Sequence, residues 1–306
     1  MPPASHSPSS ILSVIVLYNR ELSQSQSVSS LLQILKENPG WAKHFSLVLY
    51  DNSPQPQSHT FLADFPIHYV HDPSNGGLAR AYNHALERAA SDEREWLLLL
   101  DQDTSLTPEF ISELVATSEA VHSRREVAAI IPKLQVKGKI ESPSDDFFDQ
   151  MRRQFEEPQP VMNQDVVGVQ QQRLCSYNSG SALRVAALQS IGGFPAEFWL
   201  DFLDHAVFHA LYSKGYRVYV MRATLPHDAS YSDVGSIPSW RLHNILLART
   251  LFVKKNGSFI DRTLYRIWLL RHSRSLRNSC KDPRMWKETA LQAVLLRVPK
   301  DKRFLT

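Results

Sequence analysis

The chain has 306 residues, of which 43% are hydrophobic and 21% charged, and it carries a net charge of +3. These values are typical of a folded globular protein and exclude a largely disordered or collagen-like chain. The charge is too small to predict nucleic acid as a partner. Two cysteines, Cys175 and Cys280, are too few for a disulfide framework, and such sparse use fits a reducing cytoplasmic setting.

No segment of the sequence reaches the roughly 18 consecutive apolar residues that a membrane-spanning helix requires. The first ten residues also lack the charged region and the apolar core of a secretory signal. We therefore expect a soluble protein, or one that binds peripherally to a membrane.

Four short apolar segments alternate with helical patterns in the first 120 residues. The segments predicted as strands are 11–17, 46–50, 67–71 and 96–100. Apolar, β-branched runs of this length are typical of strands that are covered on both faces of a parallel sheet. Helical spacing of apolar residues follows at 27–35 and 78–90, and Thr107 with Pro108 marks the start of a third helix. The alternation predicts an α/β fold with a Rossmann-like, mostly parallel sheet flanked by helices.

The second half of the chain is less regular. Residues 136–172 are polar and predict a long loop or small hairpins. A helix is predicted over 204–212 and a strand over 216–221. The last segment, 256–306, mixes arginine and lysine with leucine and tryptophan, and we interpret it as a basic helical extension that follows a domain over residues 1–255.

Polar residues follow three of the predicted strands. Asp51 comes after the second strand, Asn75 after the third and Asp101 after the fourth. Because the carboxyl ends of parallel strands meet at one edge of a sheet, we expect a ligand crevice there. Asp101-Gln102-Asp103 places two carboxylates one residue apart, which suits a divalent cation whose remaining ligands are substrate phosphates. The alternative for such a pair taken alone is a solvated turn.

These residues belong to a series of motifs that occurs in the order of a known family. The motifs, spread over residues 11–255, are VIVLYNR, LYDNS, NGGLARAYNHAL, LLLLDQD, NSGSALR, IGGF, LDFLDHAVFHAL and a later His227. Together they resemble the family 2 glycosyltransferases with the GT-A fold, and most closely their rhamnosyltransferase-like branch. The resemblance implies a GT-A domain, a nucleotide-sugar donor and a divalent cation, Mg²⁺ or Mn²⁺.

The resemblance assigns the first half of the site to the donor. The residues implied to contact the nucleotide or its diphosphate are Tyr18, Asp51, Asn52, Asn75, Gly77, Arg80 and Asp101. A carboxylate at a strand end is a natural acceptor for a base N–H or a ribose hydroxyl. Without the resemblance, an Asx turn explains Asp51 equally well, and a simple turn explains the Asn75-Gly76-Gly77 sequence.

The cation is implied to bind to Asp101, Asp103 and His227. The histidine follows a predicted strand and Pro226, where the family commonly places one. An imidazole at this position can ligate the metal or donate a hydrogen bond to phosphate. Its structural alternative is an ordinary packed histidine.

Asp204 resembles the general base of the family, which deprotonates the acceptor hydroxyl in a direct displacement that inverts the anomeric centre. Asp201, one helical turn earlier, is the alternative base, and its structural role would be that of an N-cap. Arg241 and Arg249 are weaker candidates for contacts with the diphosphate.

The acceptor side departs from the pattern of the family. Ala206 and Ala210 stand where the branch generally carries an acidic residue and an arginine, so acceptor contacts cannot be transferred from it. His205 and His209 flank the proposed base instead. They tune its pKa, bind the acceptor or lie on a solvated helix face.

The carboxyl-terminal extension carries an amphipathic pattern. Leu264, Ile267, Trp268 and Arg271 fall at helical spacings, which suits a basic helix on an anionic membrane surface. The alternative is that the apolar stripe packs on the preceding domain while the arginines remain in water.

We therefore expect an inverting, metal-dependent glycosyltransferase, with dTDP-rhamnose as the first candidate donor and a UDP-sugar as the second. The acceptor would be a saccharide hydroxyl, lipid-linked if the extension docks on a membrane, in the assembly of a cell-surface polysaccharide. The expected location is the cytoplasm, including the inner face of the cell membrane. A non-catalytic nucleotide-sugar-binding protein is a second class. A metal-dependent phosphohydrolase is a third, disfavoured because no D-x-D follows the first strand.

Overall fold

The structure is a computed structural model that describes residues 10–58, 65–155, 166–227, 238–279 and 283–298. Its strands are β1 (Ile11–Leu17), β2 (Phe45–Asp51), β3 (Ile67–His71), β4 (Trp96–Asp101), β5 (Val127–Val136), β6 (Lys139–Ser142), β7 (Ser144–Asp145), β8 (Gly168–Gln170), β9 (Leu174–Cys175), β10 (Ala182–Arg184) and β11 (Arg217–Pro226). Its helices are α1 (Gln26–Glu37), α2 (Pro39–Ala42), α3 (Gly77–Ser91), α4 (Pro108–Ala120), α5 (Phe147–Arg153), α6 (Val185–Ser190), α7 (Leu203–Ser213), α8 (Ser239–Asn256), α9 (Phe259–Ser279) and α10 (Pro283–Leu295).

A mixed sheet of nine described strands forms the centre of the fold. Its order is β3-β2-β1-β4-β10-β5-β11-β8, and β6 pairs with the far end of β5. Strands β1 to β4, β5 and β11 run in one direction, whereas β6, β8 and β10 run in the other. The predicted α/β fold, with a mostly parallel sheet flanked by helices, is confirmed.

Strand β1 shows why these apolar segments lie in the middle of the molecule. All seven of its residues are buried. Leu12 and Val14 pack into the hydrophobic cluster on one face of the sheet, and Ile11 and Ile15 pack into the cluster on the other. Because side chains alternate along a strand, a run that is apolar at every position needs cover on both faces.

The strand register brings the polar strand ends to one edge of the sheet. Leu17 at the end of β1 is level with Asp51, and Asp51 is level with His71 on β3. On the other side of β1, Val16 is level with Asp101. The loops that follow these strands therefore converge at the edge where ligands bind in open α/β sheets.

The second half of the chain is more ordered than its sequence predicts. The helix predicted at 204–212 is α7, and the strand predicted at 216–221 extends further, to Pro226. Within 136–172, predicted as loop or hairpins, the structure describes β6, β7, α5 and β8. Cys175 is a buried free thiol, while Cys280 and residues 156–165 lie outside the described residues.

The two carboxyl-terminal helices pack against α5 and α8. The main polar anchor is Asp261, whose buried carboxylate accepts two hydrogen bonds from Arg152, at 2.8 and 2.9 Å. The division of the chain after residue 255 stays a prediction. Within the described ranges, no helix combines the length and the apolar character needed to cross a lipid bilayer.

Candidate active site

A cleft of about 680 Å³ opens at the carboxyl ends of β1, β2 and β4. It brings together ten of the candidate residues singled out in the sequence: Tyr18, Asn52, Asn75, Gly77, Asp101, Asp103, Asp201, Asp204, His227 and Arg241. Asp51 and Arg80 are not among the residues that line it. The cleft therefore unites the expected cation and base residues, and it separates two of the expected nucleotide contacts from the rest.

The turn that carries the two strand-end carboxylates is held from both sides. The Tyr18 backbone N–H donates to Gln102 Oε1 at 3.0 Å, which ties the turn to the end of β1. On the opposite side, Ser25 Oγ donates to the Gln102 carbonyl at 2.9 Å, and Ser27 Oγ bonds to the Asp101 carbonyl. The middle residue of the motif thus has a structural role, and neither carboxylate takes part in these three bonds.

Negative charge accumulates at this turn. Burial raises the pKa of Asp101 above its ordinary value, and the neighbouring charges of Asp103 and Asp204 raise it further. A hydrogen bond from Ser179 and the proximity of His227 act in the opposite direction. The Asp103 carboxylate has no hydrogen bond or ion pair with another described residue. A cation at this place would relieve the repulsion between the carboxylates.

The side chains at this turn can bind a cation only if other ligands complete its coordination shell. No three His, Cys, Asp or Glu side chains of the described ranges come close enough to hold a metal ion by themselves. His227 lines the cleft, and its buried Nδ1 has no hydrogen-bond partner. Mg²⁺ usually keeps several waters and binds through one or two carboxylates plus substrate phosphates. Asp101 and Asp103 meet that requirement, with His227 nearby.

Asp51 does not reach the cleft. It is fully buried, and its carboxylate accepts hydrogen bonds from the Tyr69 hydroxyl at 2.6 Å, the Gln57 side chain at 3.2 Å and the Ser53 backbone at 2.9 Å. The last of these is the Asx turn that the sequence left open as an alternative. Tyr69 of β3 thus occupies one oxygen of this carboxylate, and the contact with a nucleotide that the resemblance implies for Asp51 stays a prediction.

Asn52, the next residue, does reach the cleft. It is 3% exposed, and its Oδ1 has no hydrogen-bond partner. A buried amide oxygen without a partner is costly in a folded protein. Asn52 therefore offers a ligand the hydrogen-bond acceptor that Asp51 does not.

Arg80 lies on α3 and contacts residues of the turn that precedes this helix. Its Nε lies 3.4 Å from Asp72 Oδ2, and it donates to Ser74 Oγ at 3.1 Å. Asp72 is buried and also accepts a hydrogen bond from the Tyr50 hydroxyl. Arg80 thus supports the turn before α3, and its implied contact with the donor stays a prediction.

The Asn75-Gly76-Gly77 turn packs against Trp199 on the acceptor side. Trp199 Nε1 donates to the Asn75 carbonyl at 3.0 Å, and the Trp199 carbonyl accepts the Leu78 N–H at 2.8 Å. A Cβ at Gly77 would overlap both the ring and the carbonyl of Trp199. The close backbone approach that the two glycines predict is therefore made by this tryptophan.

Replacing Gly77 with alanine should destabilise the protein more than the same change at Gly138. Both glycines have φ near +80°, but Gly138 faces open space. We expect about 1–2 kcal/mol at Gly138 from the left-handed backbone, and a further 1–3 kcal/mol at Gly77 from overpacking against Trp199. Urea unfolding of both variants measures the difference, and equal losses of stability would contradict the contact.

Two carboxylates compete for the role of base, and their surroundings differ. Asp201 Oδ1 lies 2.9 Å from Arg241 Nη2, and both side chains are largely buried. Asp204 lies in the first turn of α7 and has no cationic partner among the described side chains. A carboxylate held in an ion pair is a weaker proton acceptor, so the geometry favours Asp204.

Several residues that line the cleft have no role assigned from sequence. Trp199 and Tyr177 form part of its wall, and Trp240 presents an indole that is 60% exposed. Ser179, which bonds to the Asp101 carboxylate, lies in the NSGSALR motif, so its motif gave the only available signal. Trp199 and Tyr177 come from loops and Trp240 from the first turn of α8, and the position of all three depends on tertiary packing.

Comparisons with known proteins give the family. A model described as "Glycosyl transferase family 2" matches residues 13–173, slightly more than half of the chain. That segment includes β1 to β4 and the Asp101-Gln102-Asp103 turn. No curated protein sequence matches the chain significantly.

Solved structures give the fold. The crystal structure of S. aureus TarS is similar with a TM-score of 0.55 and 15% identity, over 96% of this chain and 50% of that one. The structure of S. aureus TarS 1–349 in complex with UDP-GlcNAc is similar with a TM-score of 0.54 and 14% identity, over 93% of this chain and 81% of that one. This chain therefore spans half the length of TarS, and at such identities the likeness shows the GT-A fold alone. The family match and the fold together establish that the chain belongs to glycosyl transferase family 2.

Proposed function

We propose that the protein is an inverting glycosyltransferase that moves a sugar from a nucleoside diphosphate donor to a saccharide hydroxyl with the help of a divalent cation. The observation that carries the proposal is that one cleft holds the carboxylates of Asp101 and Asp103 together with that of Asp204. Two of them suit a cation, and the third suits a proton acceptor.

The donor half uses residues around the end of β1. Tyr18, a residue that is 46% exposed, offers a ring face for the base, and Asn52 Oδ1 offers a hydrogen-bond acceptor. Asn75 and Gly77 line the same wall. Asp51 stabilises the loop that carries Asn52, because its carboxylate accepts hydrogen bonds from Ser53 and Tyr69.

The transfer step needs a base and compensation for the charge of the leaving group. Asp204 accepts the proton of the acceptor hydroxyl as that oxygen attacks the anomeric carbon, and the donor diphosphate leaves from the opposite face. Asp101 and Asp103 would hold the cation, which would supply positive charge to offset the charge that develops on the diphosphate. The imidazole of His227 would ligate this cation or donate a hydrogen bond to phosphate.

The donor itself is assigned by a binding experiment. The motifs favour dTDP-rhamnose, while the TarS structures in complex with UDP and with UDP-GlcNAc favour a UDP-sugar. One donor should raise the Tm in the presence of Mg²⁺ or Mn²⁺, because a ligand at 100 times its Kd stabilises the folded state by about 2.7 kcal/mol. EDTA should remove most of this shift. The absence of a shift with every nucleotide sugar would contradict the proposal.

The carboxyl-terminal helices supply a surface for an anionic membrane, and a lipid-linked saccharide at its cytoplasmic face is the acceptor that fits. The inner side of α9 packs on the protein through Tyr265 and Leu269, which are fully buried. The outer side exposes apolar residues together with arginines, in agreement with an interfacial helix. The exposed apolar residues of α9 and α10 are Phe259, Ile260, Ile267, Leu270, Leu291, Val294 and Leu295.

Vesicle binding tests this surface. The wild-type protein should sediment with vesicles that contain phosphatidylserine, and much less with neutral vesicles or at high salt. A double variant, Ile267→Ser with Leu270→Ser, should lose binding but keep its Tm, because both side chains are exposed. Equal sedimentation of wild type and variant would contradict membrane docking.

A further inference from the structure

A second cavity, of about 320 Å³, adjoins the cleft on the acceptor side. Glu141, Tyr177 and Phe202 line both spaces. Phe202 precedes the proposed base, Asp204, by two residues and caps the start of α7. The second cavity therefore lies beside the start of the helix that carries the proposed base.

The floor of this cavity carries an arginine in aromatic surroundings. The guanidinium carbon of Arg249 lies 4.5 Å from the ring centroid of Trp268, 5.4 Å from that of Phe202 and 5.8 Å from that of Phe147. Its Nε is buried without a hydrogen-bond partner. Burial lowers the pKa of Arg249 because the apolar walls disfavour the charged form.

Arg249 differs from Arg184 and Arg241 in having no carboxylate partner among the described residues. Arg184 pairs with Glu95, and Arg241 pairs with Asp201. A buried cation that lacks a counterion costs several kcal/mol, so folded proteins rarely keep one without a reason.

The groups whose charge is coupled to Arg249 are the Tyr265 hydroxyl and the rings of His205 and His272. Glu141 is the carboxylate among the described residues that line the cavity, and it forms no ion pair with Arg249. The pKa of His272 is lowered to about 4, by burial and by the charge of Arg249, so this ring is neutral at pH 7. His205 lines the cavity, and its buried Nδ1 also lacks a partner. A positive charge and an unpaired imidazole nitrogen thus face the same small space.

We propose that this second cavity is an acceptor subsite in which Arg249 binds an oxyanion, a phosphate or a carboxylate, that lies next to the accepting hydroxyl. The inference rests on the proposed function and gives its acceptor a chemical class, an acidic saccharide. A guanidinium forms paired hydrogen bonds with either oxyanion. The donor diphosphate is a poorer match, because Arg249 does not line the cleft that holds Asp101 and Asp103.

The variant Arg249→Met tests the subsite. The matched control is Arg274→Gln, on the exposed surface of α9. The probes are inorganic phosphate, glucose 1-phosphate, glucuronate and, as the neutral comparison, glucose, all with EDTA and at constant ionic strength. Glucose 1-phosphate or glucuronate should raise the Tm of wild type and of the control, and the stronger of the two identifies the oxyanion. Glucose should have no effect.

Arg249→Met should weaken binding of the anionic probe roughly tenfold or more, the loss expected when a charge-assisted hydrogen bond is removed. The Tm of the ligand-free variant should stay the same or rise, since an unpaired buried charge is gone, whereas a structural arginine would give a lower Tm. Equal shifts in wild type and Arg249→Met, or no shift in wild type, would overturn the subsite.

Donor binding, measured separately with Mg²⁺, should be unchanged in Arg249→Met, and its loss in this variant would place Arg249 at the diphosphate instead. An anion shift that depends on Arg249 without any donor shift would support the subsite and refute the transfer function.

Discussion

Replacing Asp204 with asparagine should lower the rate of sugar transfer by roughly 10²–10⁴-fold, the usual contribution of a positioned general base. Asparagine keeps the shape of the side chain but cannot accept the proton of the acceptor hydroxyl. The affinity for the nucleotide sugar should change little, because Asp204 lies on the acceptor wall, at the start of α7. Initial rates and donor titrations on the same preparation measure both quantities.

The matched control is Asp201→Asn, three residues earlier in the same segment. Asp201 is paired with Arg241, so its loss should affect the Tm or the affinity for substrates more than kcat. A kcat for Asp201→Asn that falls as far as that of Asp204→Asn, at unchanged KM, would assign the base to Asp201 instead. A parallel loss of donor binding and turnover in Asp204→Asn would argue that the carboxylate positions the donor.

Asp103→Ala should abolish transfer and should also remove the effect of Mg²⁺ or Mn²⁺ on donor binding. The reason is electrostatic: with one carboxylate gone, the cation loses a ligand and the diphosphate loses most of its counter-charge. The ligand-free protein should remain as stable as wild type, because Asp103 has no hydrogen bond to a described residue and its charge repels that of Asp101. The Tm measured with donor in the presence of Mg²⁺ or Mn²⁺, compared with the Tm in EDTA, separates loss of the metal effect from loss of stability.

Glu141→Gln serves as the control for this substitution. Glu141 is an exposed carboxylate that lines the cleft outside the Asp101-Gln102-Asp103 turn. Its variant should keep the metal-dependent shift with donor. Should Asp103→Ala retain that shift while Glu141→Gln loses it, the cation would belong to the β6 side of the cleft.

The parts of the site that follow from local sequence are those fixed by strand ends. A β-strand that is apolar at every position must be buried, so the residue at its end comes to the sheet edge, and Asp101 at the end of β4 lies there as predicted. Asp51 also ends a buried strand, but its carboxylate does not line the cleft. Whether a strand-end carboxylate faces a ligand or the protein depends on the neighbouring strand, and Tyr69 of β3 covers this one.

The acceptor side could be predicted only in outline. The helix that carries Asp204 was predicted, yet its surroundings come from loops, short strands and α8, which are brought together by tertiary packing. Nothing in the sequence near Arg249 shows that it lacks a carboxylate partner, since such partners are distant in the chain, as Asp261 is for Arg152. The rhamnosyltransferase branch stays a prediction.

The carboxyl-terminal helices show why both interpretations of an amphipathic pattern can hold at once. Trp268 packs inward, stacked on Tyr265 and His272, whereas Ile267, the residue before it, is exposed. The apolar residues of α9 thus occupy more of the helix than packing alone requires. The spacing of apolar residues in the sequence predicts an apolar stripe on the helix, but it does not predict which of these residues are buried against the rest of the protein.

Trp199 bonds to the turn on the donor wall and lies five residues before the proposed base on the acceptor wall. The two walls are therefore joined by one rigid side chain, and a nucleotide that displaces the turn must also displace the loop that leads into α7. Linkage then requires that the acceptor change the donor affinity by the same factor by which the donor changes the acceptor affinity. We therefore expect the affinities for the two substrates to be coupled through the packing of this one indole.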